Sequence, residues 1–246
     1  ADYSLTPTIA IVDPALVMTV PGFVTADTGM DVLTHAVEAY TSTLANDYTD
    51  GLALQAIKLV FENLESSVKN GDFVSREKMH NASTMAGMAF ANAFLGMSHS
   101  MAHKIGGFFH TVHGRTNAIL LPYVIRYNGT RPAKTSTWPK YNYYRADEKF
   151  QDIARMLGLP SSTPEEAVDA LAKAVYELGE RVGIEMNFKA QGVDEKEWKE
   201  TIHEIALLAY EDQCSPANPR LPMVAHMEEI LADAYYGYAA RPGRLK

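Results

Sequence analysis

Apolar residues recur every three or four positions along most of this chain, which is the signature of amphipathic helices. Val32, Leu33, Ala36, Val37 and Tyr40 share one face of a helix that follows the break Pro21-Gly22 and runs to about residue 44, with Thr25 or Asp27 as its cap. Leu52, Ala56, Leu59, Val60 and Leu64 form a second stripe over residues 48–69. Residues 75–95 are rich in Ala and Met. Their small residues (Ala82, Ser83, Ala86, Gly87, Ala91) would let helices approach closely, and Met79, Met85 and Met88 read as core. Further helices are expected over 97–109, 114–127, 146–158, 164–182, 194–210 and 223–236, the 164 helix opening on a Thr163 cap with Pro164 at its first position. Gly106-Gly107 is expected to break the helix that starts at 97. The polar, aperiodic stretch 128–145, twice interrupted by Pro, reads as a long surface loop. Only Thr8 to Val12 has the β-branched apolar pattern of a strand. The expected architecture is therefore mainly α, with one short strand near the amino terminus.

Composition narrows the function more than the fold. At 246 residues, 47% hydrophobic and 21% charged, the chain can bury a core without covalent staples. A net charge of −8 without basic runs argues against nucleic acid or an anionic membrane as partner. No apolar stretch reaches the roughly 18 residues that span a bilayer, and the first residues lack a signal-peptide pattern. The single cysteine, Cys214, rules out an internal disulfide and suits a reducing cytoplasm. The absence of an initiator Met, together with the opening strand pattern, gives the expectation that the chain begins inside a larger protein.

Chemistry concentrates in two stretches. Of eight histidines, four (His99, His103, His110 and His113) lie in GMSHSMAHKIGGFFHTVHGRTNA. Upstream, GMDVLTHAVEAY places Asp31 and His35 four apart on a helix, so that both side chains can reach one ion. His99 and His103 have the same spacing. One carboxylate with two or three imidazoles suits Zn²⁺ or Fe²⁺ and is too nitrogen-rich for Mg²⁺ or Ca²⁺. A single such pair is most often a surface pair or a satisfied core group; the pair together with the cluster favours a metal. Spacing alone does not say what the metal would do.

These two motifs, about sixty residues apart, resemble those of the iron-dependent alcohol dehydrogenases. Within that family they are most similar to the carboxy-terminal part of bifunctional aldehyde–alcohol dehydrogenases, and the likeness extends from TPTIAIVDPALV to EDQCSPANPRLP and YYG. The resemblance implies the helical metal-binding domain of the dehydroquinate synthase-like fold, with Asp31, His35, His99 and His113 as ligands of one Fe²⁺, or Zn²⁺ in its place. It implies that His103 sits beside the metal and serves catalysis, and that Phe90 and Cys214 line the substrate pocket. Cys214 is expected to be a neutral wall, since hydride transfer needs no covalent intermediate. His110 has no implied role and reads as a packing or surface residue. The implied reaction interconverts a short-chain aldehyde and alcohol, acetaldehyde and ethanol, with NAD(H), the ion acting as Lewis acid. Assembly into homo-oligomers or filaments is implied for the full-length protein.

One departure stands out. The family's amino-terminal nucleotide-binding domain carries a Gly-Gly-Gly-Ser stretch, and no such loop occurs here. Residues 1–20 are therefore expected to be the remnant edge and linker of that domain, with 21–246 as the helical metal-binding domain. No residue is assigned to NAD contact, and the chain by itself is expected to bind metal with little turnover. Three rival readings compete with this one. A helical phosphohydrolase of the HD type needs a His-Asp dipeptide, which is absent. A zinc-dependent enzyme of the glycerol dehydrogenase type shares the fold but fits the four-ligand pattern and CSPANPR less well. A non-catalytic metal-binding or filament-assembly module would tolerate loss of His99.

Overall fold

The computed structural model describes Ser4, residues 6–132 and residues 144–237. Among these residues there are nine α-helices and no strand: α1 (Gly22–Thr41), α2 (Asp47–Lys69), α3 (Phe73–Ala93), α4 (Met97–Phe109), α5 (His113–Gly129), α6 (Ala146–Met156), α7 (Pro164–Arg181), α8 (Glu195–Tyr210) and α9 (Val224–Tyr236).

The helices form two packed groups that share α5. Leu33, Val37, Ile57, Val60 and Leu64 of α1 and α2 join Phe150, Leu171 and Val175 of α6 and α7 in one core. Met97, Met101 and Ile105 of α4 join Trp198, Ile205, Ile230 and Tyr235 of α8 and α9 in the other. Helix α5 feeds both, with Leu121 and Ile125 facing the first core and Leu120 and Val124 the second. A helix apolar on all sides is stable only when surrounded, and α5 is buried from Ala118 to Ile125. Its polar amino-terminal end is thereby held at the junction of the two groups.

The helix starts follow from local chemistry. Asn46 accepts from the backbone N–H groups of Tyr48 and Thr49, and Thr49 Oγ1 accepts from Asn46 N, a reciprocal cap. Thr163 caps α7 as its sequence predicts, accepting from Glu166 N with Pro164 next in line.

Four expectations need correction. Thr8–Val12 is not a strand: Ile9 and Ile11 are 79% and 83% exposed, and no described segment pairs with them. A β-branched pattern makes a strand only where a neighbour satisfies the backbone. Helix α1 starts at Gly22 after Pro21, three residues before the expected cap, and Thr25 Oγ1 instead donates to Pro21 O inside the first turn. Gly106-Gly107 does not break α4, which continues to Phe109 and ends at His110 in the left-handed region (φ 52°). Neither glycine needs an unusual backbone there, and the helix tolerates them at a cost of roughly 1 kcal/mol each. Met88 is 53% exposed and only Met79 of the three methionines is fully buried. The expected loop 128–145 lies mostly outside the described residues, and its first two positions belong to α5.

Candidate metal centre

The site forms where α1, α4 and α5 converge between the two cores. Asp31 and His35 sit one turn apart on α1, His99 is the third residue of α4, and His113 is the first of α5. Asp31 is the hub. Its Oδ1 lies 3.7 Å from His99 Nε2 and 3.6 Å from His113 Nε2, and its Oδ2 lies 3.9 Å from His35 Nδ1. Donors about 2.1 Å from a tetrahedral ion stand roughly 3.4 Å apart, so these separations are a few tenths of an ångström wider than a closed shell. Asp31, His35 and His99 form a compact trio within 4.8 Å of one another, while His113, more exposed, approaches from the open side.

Two observations show that the pocket suits a cation. His99 is 1% exposed, yet its Nε2 has no hydrogen-bond partner. A buried polar atom without a partner costs about 1–3 kcal/mol, and a metal ion would satisfy it. Two carboxylates, Asp31 and Glu38, also face the imidazoles, and no Lys or Arg among the described residues pairs with either. The donor set is nitrogen-rich with one oxygen, which fits Fe²⁺ or Zn²⁺.

The imidazoles are kept ready to coordinate. Burial, reinforced by neighbouring His99 and opposed by Asp31, lowers the His35 pKa from 6.5 to about 4. Burial also lowers that of His113. Both rings are therefore neutral at pH 7, with a lone pair available. Asn117 Nδ2 lies 2.8 Å from Asp31 Oδ1 and 3.2 Å from His113 Nε2, so one amide organises both groups. A pKa lowered on folding makes acid destabilising, because the unfolded chain takes up the proton first. The metal-free chain should lose thermal stability as pH falls from 6.5 toward 4, and His35→Asn should flatten that part of the Tm profile. Equal slopes in the two proteins would contradict the assignment.

A second group adjoins the first. The His103 ring stacks on His113 at 5.5 Å, and its Nδ1 lies 3.2 Å from Asp212 Oδ2. Lys104 Nζ reaches the same oxygen at 2.8 Å, and Cys214 N donates to Asp212 Oδ1 at 3.0 Å. Burial opposes ionisation of Asp212, but Lys104, the Cys214 amide and His103 together hold its pKa below the usual range. Burial and then Asp212 push the Cys214 thiol up to about 12, so it is neutral at pH 7. His103, Asp212 and Cys214 converge closely, but the Lys104 ammonium already neutralises the carboxylate. This arrangement suits proton handling better than a second metal.

Asp31, His35, His99, His113, His103, Phe90 and Cys214 thus lie close together. Phe90 stacks on His35 at 4.6 Å. His110 instead lines a separate cleft of 610 Å³ with Phe108, Phe109 and Arg115. Glu38, Asp212 and Asn117 were missed. Glu38 had a signal: Asp31, His35 and Glu38 are spaced i, i+4, i+7, and a carboxylate between Val37 and Ala39 interrupts an apolar run. Asp212 had none, because it reaches His103 across 109 residues.

Comparison with known proteins points the same way. The Fe-containing alcohol dehydrogenase family, C-terminal, matches residues 25–235. The chain is 84% identical over 246 residues to an aldehyde-alcohol dehydrogenase of Streptococcus pneumoniae serotype 2, covering all of this chain and 28% of that protein. It is 43% identical over 242 residues to the bifunctional aldehyde-alcohol dehydrogenase of Escherichia coli K12, covering 96% of this chain and 27% of that protein. The chain thus spans little more than a quarter of the length of these two relatives. Among solved structures, an iron-containing alcohol dehydrogenase from Thermococcus thioreducens superposes with a TM-score of 0.84 at 35% identity, over 96% of this chain and 57% of that one.

Proposed function

As the chain belongs to the iron-containing alcohol dehydrogenase family, matched in its carboxy-terminal part, we propose that it is the metal-holding domain of an NAD-linked alcohol dehydrogenase. Its reaction would interconvert acetaldehyde and ethanol, within a bifunctional aldehyde–alcohol dehydrogenase like the relatives above. The observation that carries this reading is the convergence of Asp31, His35, His99 and His113 with the His99 Nε2 buried and unpartnered.

In this reading those four side chains hold one divalent ion, Fe²⁺ in the first instance, with Zn²⁺ compatible with the same donors. The ion, when bound, supplies a Lewis acid that acidifies an alcohol hydroxyl or polarises an aldehyde carbonyl. His103 takes the hydroxyl proton and passes it to solvent, which its 35% exposed side chain reaches, and returns a proton in the reductive direction. Asp212 fixes the ring through Nδ1, leaving Nε2 for the substrate side. Phe90 and Cys214 supply the uncharged walls of the pocket. Hydride transfer belongs to the nicotinamide, and the protein's part is to place the carbon that gives or takes it. No helix among the described residues is long and apolar enough to cross a membrane; cytoplasmic action as a homo-oligomer or filament completes the proposal.

Loading the chain with Co²⁺ in place of Fe²⁺ tests the site without the cofactor. A visible ligand-field spectrum should appear at one Co²⁺ per chain and shift on addition of ethanol. A chain that takes up no metal would end this reading. A spectrum indifferent to alcohol would leave a metal site without the proposed substrate. In a turnover assay with ethanol and NAD on the longer enzyme that supplies the nucleotide-binding domain, Asp212→Asn should lower kcat by about 100-fold, the low end for lost general acid–base catalysis, with metal content unchanged. An unaltered kcat would remove Asp212 from the mechanism.

A further inference from the structure

We infer that Glu38 is a positioning residue for the metal centre: it fixes His99 as the Nδ1–H tautomer and so reserves Nε2 for the ion. This rests on the metal-site reading above and extends it to a residue that touches no substrate and is not itself a ligand.

Glu38 lies on α1, one helical turn beyond His35, and is 3% exposed. Its side-chain hydrogen bonds run to the start of α4. Oε1 accepts from Ser98 N at 2.7 Å, and Oε2 accepts from Gly96 N at 3.0 Å and pairs with His99 Nδ1 at 2.6 Å. Both Glu38 oxygens already act as acceptors for backbone N–H groups, and the inferred arrangement has Nδ1–H as the third donor to them. In the neutral ring Nε2 is then the lone-pair nitrogen, and it is the atom left without a partner beside Asp31. A carboxylate behind a ligating imidazole fixes ring orientation and raises its basicity.

The surroundings are shaped for this contact. Helix α4 has no side-chain cap of its own. Glu38 takes two of its free amides, and Asn218 Oδ1 accepts the Met97 N–H between them at 3.2 Å. A Cβ at Gly96 would lie 2.8 Å from Asn218 Oδ1 and 3.0 Å from Glu38 Oε1, so only glycine lets these groups close in. The turn leading into α4 holds Phe94 at φ 65°, a strained region for a non-glycine residue. Glu38 thus ties the helix start to the His99 ring, with Asn218 completing the cap.

Glu38→Gln tests the inference with almost no change of shape. A glutamine offers one acceptor oxygen and a donor NH₂ to three donors. With the NH₂ in the place of Oε2, Gly96 N loses its acceptor. The conflict at His99 is relieved when the ring switches to the Nε2–H tautomer and accepts from the amide at Nδ1, which puts a proton where the ion would sit. In the metal-free chain, nitrogen-15 NMR should report His99 as the Nδ1–H tautomer in the wild type and Nε2–H in Glu38→Gln. In Zn²⁺ titrations the variant should bind about 10–100-fold more weakly, the usual loss when such an outer partner is removed. Glu38→Asp, which keeps an acceptor-only group, should keep the Nδ1–H tautomer and recover part of the affinity. Asn218→Ala, which removes a cap without touching His99, should leave the tautomer unchanged.

The outcomes separate the two claims. An unchanged tautomer in Glu38→Gln, or wild-type affinity in that variant while His99→Ala loses the metal, overturns the role of Glu38 and leaves the site standing. No Zn²⁺ uptake by the wild type overturns the site, while the tautomer measurement still decides what Glu38 does to His99. If Glu38→Gln fails to fold, Glu38→Asp and Asn218→Ala carry the same two readouts. A Glu38→Asp chain with His99 in the Nε2–H form would then refute the inference.

Discussion

His99→Ala is expected to abolish stoichiometric metal binding while leaving a folded chain. The imidazole is the most deeply buried of the four proposed ligands, and it faces Asp31 through one nitrogen and Glu38 through the other. Removing it takes away one ligand of four and leaves a cavity that solvent can enter from the His113 side, whose side chain is 43% exposed. If a four-ligand zinc site is worth about 10–16 kcal/mol, one ligand accounts for roughly 3 kcal/mol, or about two orders of magnitude in affinity. The collapse of the Glu38 contact adds to that loss. Glu38 keeps two backbone N–H partners in the variant, so its charge is not stranded. The measurement is a Zn²⁺ or Fe²⁺ titration beside a Tm determination on the same metal-free sample. Wild-type metal affinity in this variant would overturn the ligand assignment. Loss of folding would show the ring to be a structural element first.

The second large effect is expected from Gly114→Ala. A Cβ there would lie 2.2 Å from Asp27 O, 2.8 Å from Asp27 C and 3.1 Å from Asp31 Cβ. The first two are backbone atoms of α1, so no rotamer change relieves the clash; α5 must move away from α1 by the better part of an ångström. Overpacking of this kind costs about 1–3 kcal/mol. The same movement widens the 3.6 Å gap between Asp31 Oδ1 and His113 Nε2 on which the fourth ligand depends. Lower Tm and at least tenfold weaker metal binding are expected together, by thermal melts and the same titration. Gly107→Ala is the control. It sits inside α4 with nothing within 4 Å of a would-be Cβ, and should raise stability by up to about 1 kcal/mol through helix propensity. If Gly114→Ala melts and binds metal like the wild type, the close approach of α1 and α5 is not what sets the site.

The helices were legible because each is announced locally. Thr163-Pro164 opens α7, Asp194 caps α8 by accepting from Lys196 N and Glu197 N, and the stripe Leu59, Val60, Leu64 is buried as the pattern requires. The N-terminal strand was misread for the complementary reason. A β-branched run such as Thr8–Val12 states a preference, and only a neighbouring strand turns it into structure. The misreading of Gly106-Gly107 has a similar cause: a glycine pair weakens a helix but does not end it while Ile105 is buried in the second core.

The proposed ligands were legible on one helix at a time. Asp31 with His35, and His99 with His103, each obey the i, i+4 rule, and the family resemblance supplied the division of labour among them. What the sequence alone determined is therefore the set of helices, their apolar faces, and the donor types available to a metal. Which donors meet was decided only by the tertiary structure. His103 has the same spacing from His99 as His35 from Asp31, yet it turns toward Asp212 and leaves the fourth position to His113. Glu38 acquires its role from Gly96, Ser98 and His99, some sixty residues away in sequence. Hydrophobic periodicity reports which face of a helix is buried. It carries no information on which polar groups from other helices will be buried opposite that face, because that depends on how whole helices pack.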